Sequence, residues 1–199
     1  MDLFANGPQA NILPHGGIAI YHGSIFPSEE SSRILGDLLT DIPWRHDEVV
    51  MFGKHITTAR KVAWIADEGV AYAYSGKSRQ PAAWTETLLE LKTICENRTG
   101  AVYNSCLLNL YQDGSEGMGW HSDDERSLAP GSSIAALSLG AERKFSFKHR
   151  STKETVSLIL ENGSLLDMRG TTQKHWLHQI PKSKRVTEPR ISLTFRRMA

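Results

Sequence analysis

Six short runs of alternating or uniformly apolar residues, divided by turn residues, occupy the chain from Val102 almost to its last residue. Short runs at this spacing are typical of antiparallel strands in a sandwich or barrel. The second half of the chain therefore predicts an antiparallel double-sheet structure. The predicted strands are Ser105–Tyr111, Ser132–Leu139, Lys144–His149, Thr155–Leu160, Ser164–Met168 and Ile191–Arg196.

Two helices are expected before these strands. The first follows Pro27 and has Ser28 as its cap, and the second begins at Pro81 and ends at Gly100. Helices first and strands second predict an α+β fold of the jelly-roll class, with the helices packed on one sheet. The apolar helix positions are Ile34, Leu35, Leu38 and Leu39 in the first helix, and Trp84, Leu88, Leu91 and Cys95 in the second.

Length and charge limit the classes of protein that fit. A chain of 199 residues predicts one domain, here preceded by a flexible tail at residues 1–15 that is rich in Asn, Gly and Pro. No run approaches the ~18 apolar residues that a membrane span requires. With 23 basic and 22 acidic residues the net charge is +1, which excludes a strongly basic nucleic-acid coat. The local basic patch at residues 143–153 and 182–185 is either a solvated surface or a nucleic-acid contact.

The segment His121-Ser122-Asp123 is the first candidate for metal chemistry. In an extended segment residues i and i+2 point to the same face, so His121 and Asp123 project together. An imidazole and a carboxylate supply two of the three ligands of a facial triad that holds iron(II). The third ligand is either His178 or His175.

Polar residues also share strand faces elsewhere. In the strand that ends the chain, Arg190 and Arg196 lie on one face with Ser192 and Thr194 between them. These arginines are either exposed to solvent or hold a dicarboxylate inside the barrel, where a guanidinium suits a carboxylate. Another strand presents an amide and a phenol on one face, in Asn109 and Tyr111.

In their order and spacing, these residues resemble the AlkB family of iron(II)/2-oxoglutarate dioxygenases. The resemblance runs from about Val50 to Arg197 and is greatest to the family members that repair alkylated double-stranded DNA. It implies a double-stranded β-helix as the form of the jelly roll. The local segments that carry it, besides those above, are Phe52-Gly53-Lys54, Tyr72-Ala73-Tyr74-Ser75-Gly76 and Leu128-Ala129-Pro130-Gly131.

The resemblance implies a ligand and cosubstrate set. His121, Asp123 and His178 would bind iron(II), and O2 would take a remaining position on the metal. Arg190, helped by Tyr111, would bind the distal carboxylate of 2-oxoglutarate. The remaining residues that the resemblance places in the 2-oxoglutarate pocket are Asn109, Thr194 and Arg196.

The resemblance also implies the reaction, which is oxidative demethylation of N1-methyladenine and N3-methylcytosine in double- or single-stranded DNA. Phe52 would fill the gap left by the flipped base, beside a turn at Gly53 and with Lys54 on a phosphate; the alternative is a core position for Phe52. The flipped base would meet Tyr72, Tyr74 and Asp124. Alternative functions are an RNA demethylase, a protein hydroxylase and a non-catalytic jelly-roll binding module.

Domain organisation and setting follow from the same resemblance. Residues 16–199 would form one catalytic domain, with helices and nucleotide-recognition hairpins in residues 16–100 and the jelly-roll core in residues 101–199. The protein would be a monomer that does not bind membranes. Its location would be the cytoplasm of a bacterium, or the nucleus if the source is eukaryotic.

Overall fold

The computed structural model describes residues 10–51, 54–70, 72–74, 77–79, 81–125 and 127–199. Up to residue 100 the elements are β1 (Ile18–Ser24), α1 (Ser28–Asp41), β2 (Arg45–Met51), β3 (Lys54–Ala66), β4 (Tyr72–Tyr74), β5 (Lys77–Arg79) and α2 (Glu86–Thr99). They are followed by β6 (Ser105–Tyr111), β7 (Met118–His121), β8 (Ile134–Gly140), β9 (Arg143–His149), β10 (Thr155–Leu160), β11 (Ser164–Arg169), α3 (Thr172–His175), β12 (Trp176–Ile180) and β13 (Arg190–Arg196).

The strands form two main antiparallel sheets. The larger has seven strands in the order β1-β11-β8-β13-β6-β3-β2, and the smaller has four in the order β10-β9-β12-β7. In the described part of the chain, the short strands β4 and β5 pair only with each other. This arrangement confirms the predicted jelly roll. All six predicted strands are present with ends within two residues of the prediction.

The two long helices cover the outer face of the seven-stranded sheet. Ile34 and Leu38 of α1 and Leu88 and Leu91 of α2 are buried in one apolar cluster with residues of β6, β8 and β13. Burial of a leucine or isoleucine side chain contributes about 1.5–3 kcal/mol. The prediction that the helices pack on one sheet is therefore confirmed.

The predicted helix starts need correction. Pro27 is the residue before α1, so Ser28 is the first helical residue and not the cap. Helix α2 begins at Glu86 instead of Pro81, because the Thr85 side chain accepts a hydrogen bond from the Leu88 N–H. The preceding segment stays extended, since the Ala82 N–H donates to the Trp64 carbonyl of β3 at 2.9 Å. Local sequence does not show this contact with a distant strand.

The end of α2 lies where the sequence predicted it. Gly100 has a φ of 70°, in the left-handed region, and its N–H donates to the carbonyl of Glu96. A glycine is favoured there because it has no Cβ to clash with the backbone. The chain then turns back to start β6.

A second core lies between the two sheets. Residues of β8 and β11, such as Ala136 and Met168, pack against Phe145, Phe147 and Trp176 of the smaller sheet. Alternation along β13 places Ile191, Leu193 and Phe195 in the helix-side cluster. The arginines of β13 consequently share the face toward the smaller sheet, so of the two alternatives left open by the sequence the structure favours the interior one.

The N-terminal segment is packed from residue 11 onward. Asn11 bridges to Ile20, Leu13 is buried in the second core, and the indole of Trp176 donates to the carbonyl of His15 at 2.9 Å. These residues belong to the packed part of the chain, although the flexible tail was expected to extend to residue 15. Residues 1–9 lie outside the described residues.

Candidate active site

The three predicted metal-ligand side chains lie on two neighbouring strands and on the segment that follows one of them. His121 is the last residue of β7, and His178 lies directly opposite it in β12. Asp123 follows His121 by two residues, and one potential ligand atom of each side chain lies within 4.8 Å of the others. The structure therefore brings the predicted His121 and Asp123 together with His178.

Hydrogen bonding prepares His121 to bind a metal. Its Nδ1 lies 2.8 Å from the carbonyl oxygen of Gly119. Because a carbonyl only accepts, Nδ1 carries the proton and Nε2 keeps its lone pair. This Nε2 is 4.0 Å from Asp123 Oδ1, and Nε2 of His178 is 3.9 Å from Asp123 Oδ2. A hydrogen bond on the non-ligating nitrogen orients metal-binding histidines in general.

The protonation states also favour metal binding. Burial lowers the pKa of His178 to about 3, so the imidazole is neutral near pH 7. Burial alone would raise the pKa of the Asp123 carboxyl, but Arg196, His178 and His121 together bring it below its ordinary value. Metal ligands must be deprotonated. The donor set is therefore two imidazole nitrogens and one carboxylate oxygen, which fits iron(II) with open positions.

His175, the rival third ligand, lies elsewhere. It ends α3, and its ring stacks on that of His149 with centroids 6.1 Å apart. Within the described ranges it does not belong to the group of converging ligand atoms.

A cavity of about 210 Å³ adjoins the three ligand side chains. Four of the five predicted cosubstrate residues line it, and Arg190 is the exception. The Arg190 guanidinium instead lies over the ring of Tyr111, with Cζ 5.5 Å from the ring centroid. The four lining residues are Asn109, Tyr111, Thr194 and Arg196.

Arg190 is a buried cation with unused donors. Only 1% of it is exposed, and its Nη2 donates to Ser138 Oγ at 2.8 Å. Its Nε and Nη1 have no hydrogen-bond partner in the structure as described, and neither does Oδ1 of Asn109. A buried unpaired donor costs about 1–3 kcal/mol, and more if it is charged. An anionic ligand that accepted from Arg190 would remove this penalty.

Arg196 contacts one of the three predicted metal ligands directly. Its Nη2 lies 3.0 Å from Asp123 Oδ1, and its Nη1 lies 2.9 Å from Glu125 Oε1. The two contacts of Arg196 hold Asp123 and Glu125 at the cavity wall. Separately, the Thr194 hydroxyl donates to the Leu107 carbonyl at 2.9 Å, which fixes the Thr194 side chain against the neighbouring strand β6.

Of the six predicted substrate residues, the structure fully describes one. Asp124 lies at the cavity, and one of its carboxylate oxygens is 3.4 Å from Arg150 Nη2. For Lys54, Tyr72 and Tyr74 only the backbone is described, at the start of β3 and at both ends of β4. Phe52 and Gly53 lie outside the described residues. In the sequence they stand between β2 and β3, which pair with each other so that Met51 is opposite Lys54.

Several cavity residues were not predicted from the sequence. Arg60 of β3 lines the cavity and donates to Met118 Sδ at 2.8 Å. Phe145 lines it as well and stacks on the His178 ring with centroids 5.3 Å apart. The alternation of β9 marks Phe145 as inward-facing, but Arg60 lies in a polar stretch that gives no such signal.

The fold and this site define an iron(II)- and 2-oxoglutarate-dependent oxygenase. The sequence matches the family described as the 2OG-Fe(II) oxygenase superfamily over residues 17–196. The chain belongs to this superfamily and, within it, to the AlkB family.

Relatives in that family cover most of the chain. DNA oxidative demethylase ALKBH2 of Mus musculus is 39% identical over 96% of this chain and 84% of its own length. The Homo sapiens protein of the same name is 35% identical over 96% of this chain and 78% of its own. Alpha-ketoglutarate-dependent dioxygenase alkB homolog 3 of Bos taurus is 36% identical over 84% and 62%, respectively.

The fold is similar to the solved structure of OsALKBH1. The TM-score is 0.60 at 15% identity, over 93% of this chain and 99% of that one. At this identity the similarity concerns the fold alone.

The part of the chain that the structure describes contains no helix with the length and apolar character that a membrane span requires.

Proposed function

We propose that this oxygenase removes methyl groups from alkylated bases in DNA. The observation that carries the proposal is the convergence of His121, Asp123 and His178 at a cavity lined by Tyr111, behind which lies the buried Arg190 guanidinium with unused donors. Two relatives that cover most of the chain bear the name DNA oxidative demethylase. The site supplies the chemistry, and these relatives support DNA as the substrate.

The proposed roles follow from the contacts. His121, Asp123 and His178 would hold iron(II), with Arg196 keeping Asp123 ionised and in place. Arg190 would donate to the distal carboxylate of 2-oxoglutarate, with Tyr111 closing that end of the cavity. When bound, iron(II), 2-oxoglutarate and O2 supply the oxidation that converts an N-methyl group to formaldehyde, with succinate and CO2 as the other products.

Carboxylates at the cavity support a cationic base as the substrate. N1-methyladenine and N3-methylcytosine carry positive charge near neutral pH, and Asp124 and Glu125 line the same cavity as the ligands. Glu125 is already paired with Arg196 and Asp124 is mostly exposed to solvent, so Asp124 is the carboxylate that a cationic base can approach. The base would have to leave the helix stack to reach the cavity, and methylation on its pairing edge lowers the free energy needed to flip it.

Formaldehyde release tests this proposal against its alternatives. Matched oligonucleotides with one N1-methyladenine, as DNA and as RNA, and a peptide mixture would be incubated with the iron-loaded enzyme and 2-oxoglutarate. We expect formaldehyde in proportion to repaired base, fastest on DNA. Faster release on RNA would favour an RNA demethylase, and 2-oxoglutarate consumption with peptide alone would favour a protein hydroxylase.

We also propose that the protein is a monomer. Its proposed location is the compartment that holds the DNA, which is the cytoplasm of a bacterium or the nucleus of a eukaryote. Cys95 and Cys106 are both free and buried, which suits a reducing compartment. Light scattering of the purified protein tests the monomer: a mass near 22.2 kDa supports it, and a mass near twice that contradicts it.

A further inference from the structure

A second buried arginine lies next to the proposed cosubstrate pocket. Arg143 is the first residue of β9 and is 2% exposed. Its guanidinium donates to the backbone carbonyls of Asp113 at 3.3 Å, Glu116 at 2.8 Å and Pro181 at 2.9 Å. All three acceptors are neutral, so these bonds hold the side chain without neutralising its charge.

The acidic side chains beside Arg143 are occupied elsewhere. A carboxylate oxygen of Asp113 accepts from the Ser115 N–H at 2.7 Å, and one of Glu116 accepts from the Gln112 N–H at 2.9 Å. In the part of the chain that the structure describes, neither Arg143 nor Arg190 forms an ion pair with a carboxylate. Both guanidiniums therefore lie inside the protein without a paired carboxylate, although the Asp113 and Glu116 carboxylates attract Arg143 at longer range.

Tyr111 connects the two arginines to the cavity. Arg143 Cζ lies 5.7 Å from the centroid of the Tyr111 ring, and Arg190 Cζ lies 5.5 Å from it. Arg190 is also directly opposite Tyr111 across the β6–β13 pair. A cation over an aromatic face is attracted by the ring, so both arginines help to hold Tyr111 in place. Its ring lines the cavity.

Two like charges in one buried place are unfavourable unless an anion joins them. The pKa of the Arg190 guanidinium is lowered to about 10, mainly by burial; Tyr111 opposes this lowering, and Arg143 adds to it. Burial also lowers the pKa of Arg143. A carboxylate bound at Arg190 would be attracted by both guanidiniums and would relieve their mutual repulsion.

We propose that Arg143 is a specificity-determining positioning residue: its charge, held beside Tyr111, makes the pocket prefer a 2-oxo acid with a second carboxylate. This inference rests on the proposed binding of the distal carboxylate at Arg190. Arg143 acts through its electrostatic field at the pocket and through its contact with Tyr111, and it does not touch the reacting atoms. A charge acting through the protein interior over roughly 10 Å changes affinity on the order of tenfold.

The test compares two ligands that differ in the distal carboxylate. Anaerobic calorimetry on the iron(II)-loaded protein gives the affinities of 2-oxoglutarate and of 2-oxopentanoate, which has a methyl group in place of that carboxylate. The informative quantity is the ratio of the two affinities. Arg143→Gln removes the charge but keeps an amide donor, and Arg143→Lys keeps the charge. Lys144→Gln removes an exposed charge one residue away and is the matched control.

We expect Arg143→Gln to lower the preference for 2-oxoglutarate about tenfold, while Arg143→Lys and Lys144→Gln change it less than threefold. Equal loss for both ligands in Arg143→Gln would overturn the inference, because a purely structural clamp does not sense the distal group. Loss of cooperative melting in both Arg143 variants would overturn it as well. Arg190→Gln separates the two proposals: if it leaves the preference intact, the placement of 2-oxoglutarate is wrong, whatever Arg143 does.

Discussion

His178 of β12 lies directly opposite His121 of β7, and the centroids of their rings are 4.2 Å apart. The antiparallel pairing of two short strands thus brings together two predicted metal ligands that are far apart in the sequence. Asp123 joins them because β7 ends at His121 and the chain continues past the same cavity.

Removing any ligand of this group should abolish turnover. We expect His121→Ala, Asp123→Ala and His178→Ala each to lose formaldehyde release and iron(II) binding, since two remaining ligands hold the ion poorly. His175→Ala is the matched control and should retain both. Wild-type turnover in His178→Ala together with loss in His175→Ala would show that the third ligand was assigned wrongly.

Arg190→Ala should raise the apparent KM for 2-oxoglutarate. Loss of a desolvated charge partner costs about 2–5 kcal/mol, which corresponds to roughly 30-fold or more. Steady-state kinetics at varied 2-oxoglutarate measures the change, with the exposed Arg33→Ala as control. An unchanged KM in Arg190→Ala would remove the pocket assignment.

Acid should destabilise the metal-free protein through His178. Its pKa in the folded state is about 3, below its ordinary value of 6.5, so the unfolded chain binds the proton more readily between these values. The unfolding free energy should therefore fall as the pH drops below about 6.5, by up to about 1.4 kcal/mol per pH unit from this group. Urea unfolding at pH 6.5 and 5.0 measures the slope. His178→Gln should show a smaller slope than the wild type and than the exposed His46→Gln; equal slopes would contradict the assignment.

The proposed role of Phe52 in the DNA helix stays a prediction. Stacking of a base on an aromatic ring contributes about 1–3 kcal/mol, or roughly 5- to 150-fold. Phe52→Ala should lose most activity on methylated double-stranded DNA and retain more on a short single strand, where no base stack is left open. Losses of equal size on both substrates, together with a lower melting temperature, would indicate a core residue instead.

Alternation along the predicted strands indicated correctly which polar residues share one face of a strand. Arg190 and Arg196 fall on one face of β13 and Asn109 and Tyr111 on one face of β6, and three of these four line the cavity. Arg190 instead lies over the ring of Tyr111.

Contacts between distant segments could not be read from the sequence in the same way. The start of α2 depends on the bond from Ala82 to Trp64 of β3, and β3 itself begins with a polar stretch without alternation. The contact of Arg143 with Tyr111 likewise depends on the packing of two sheets. Local periodicity carries no information on such pairings, because they are set by tertiary structure.

The most direct test of the account is an anaerobic titration of the metal-free protein with iron(II) and 2-oxoglutarate, followed by visible absorption. If His121, Asp123 and His178 hold the metal and 2-oxoglutarate chelates it, a weak charge-transfer band should grow to one equivalent of each. The band should be absent in Asp123→Ala and should need far more 2-oxoglutarate in Arg190→Ala. A wild-type protein that shows no band, or an Asp123→Ala protein that shows an unchanged one, would contradict the proposed site.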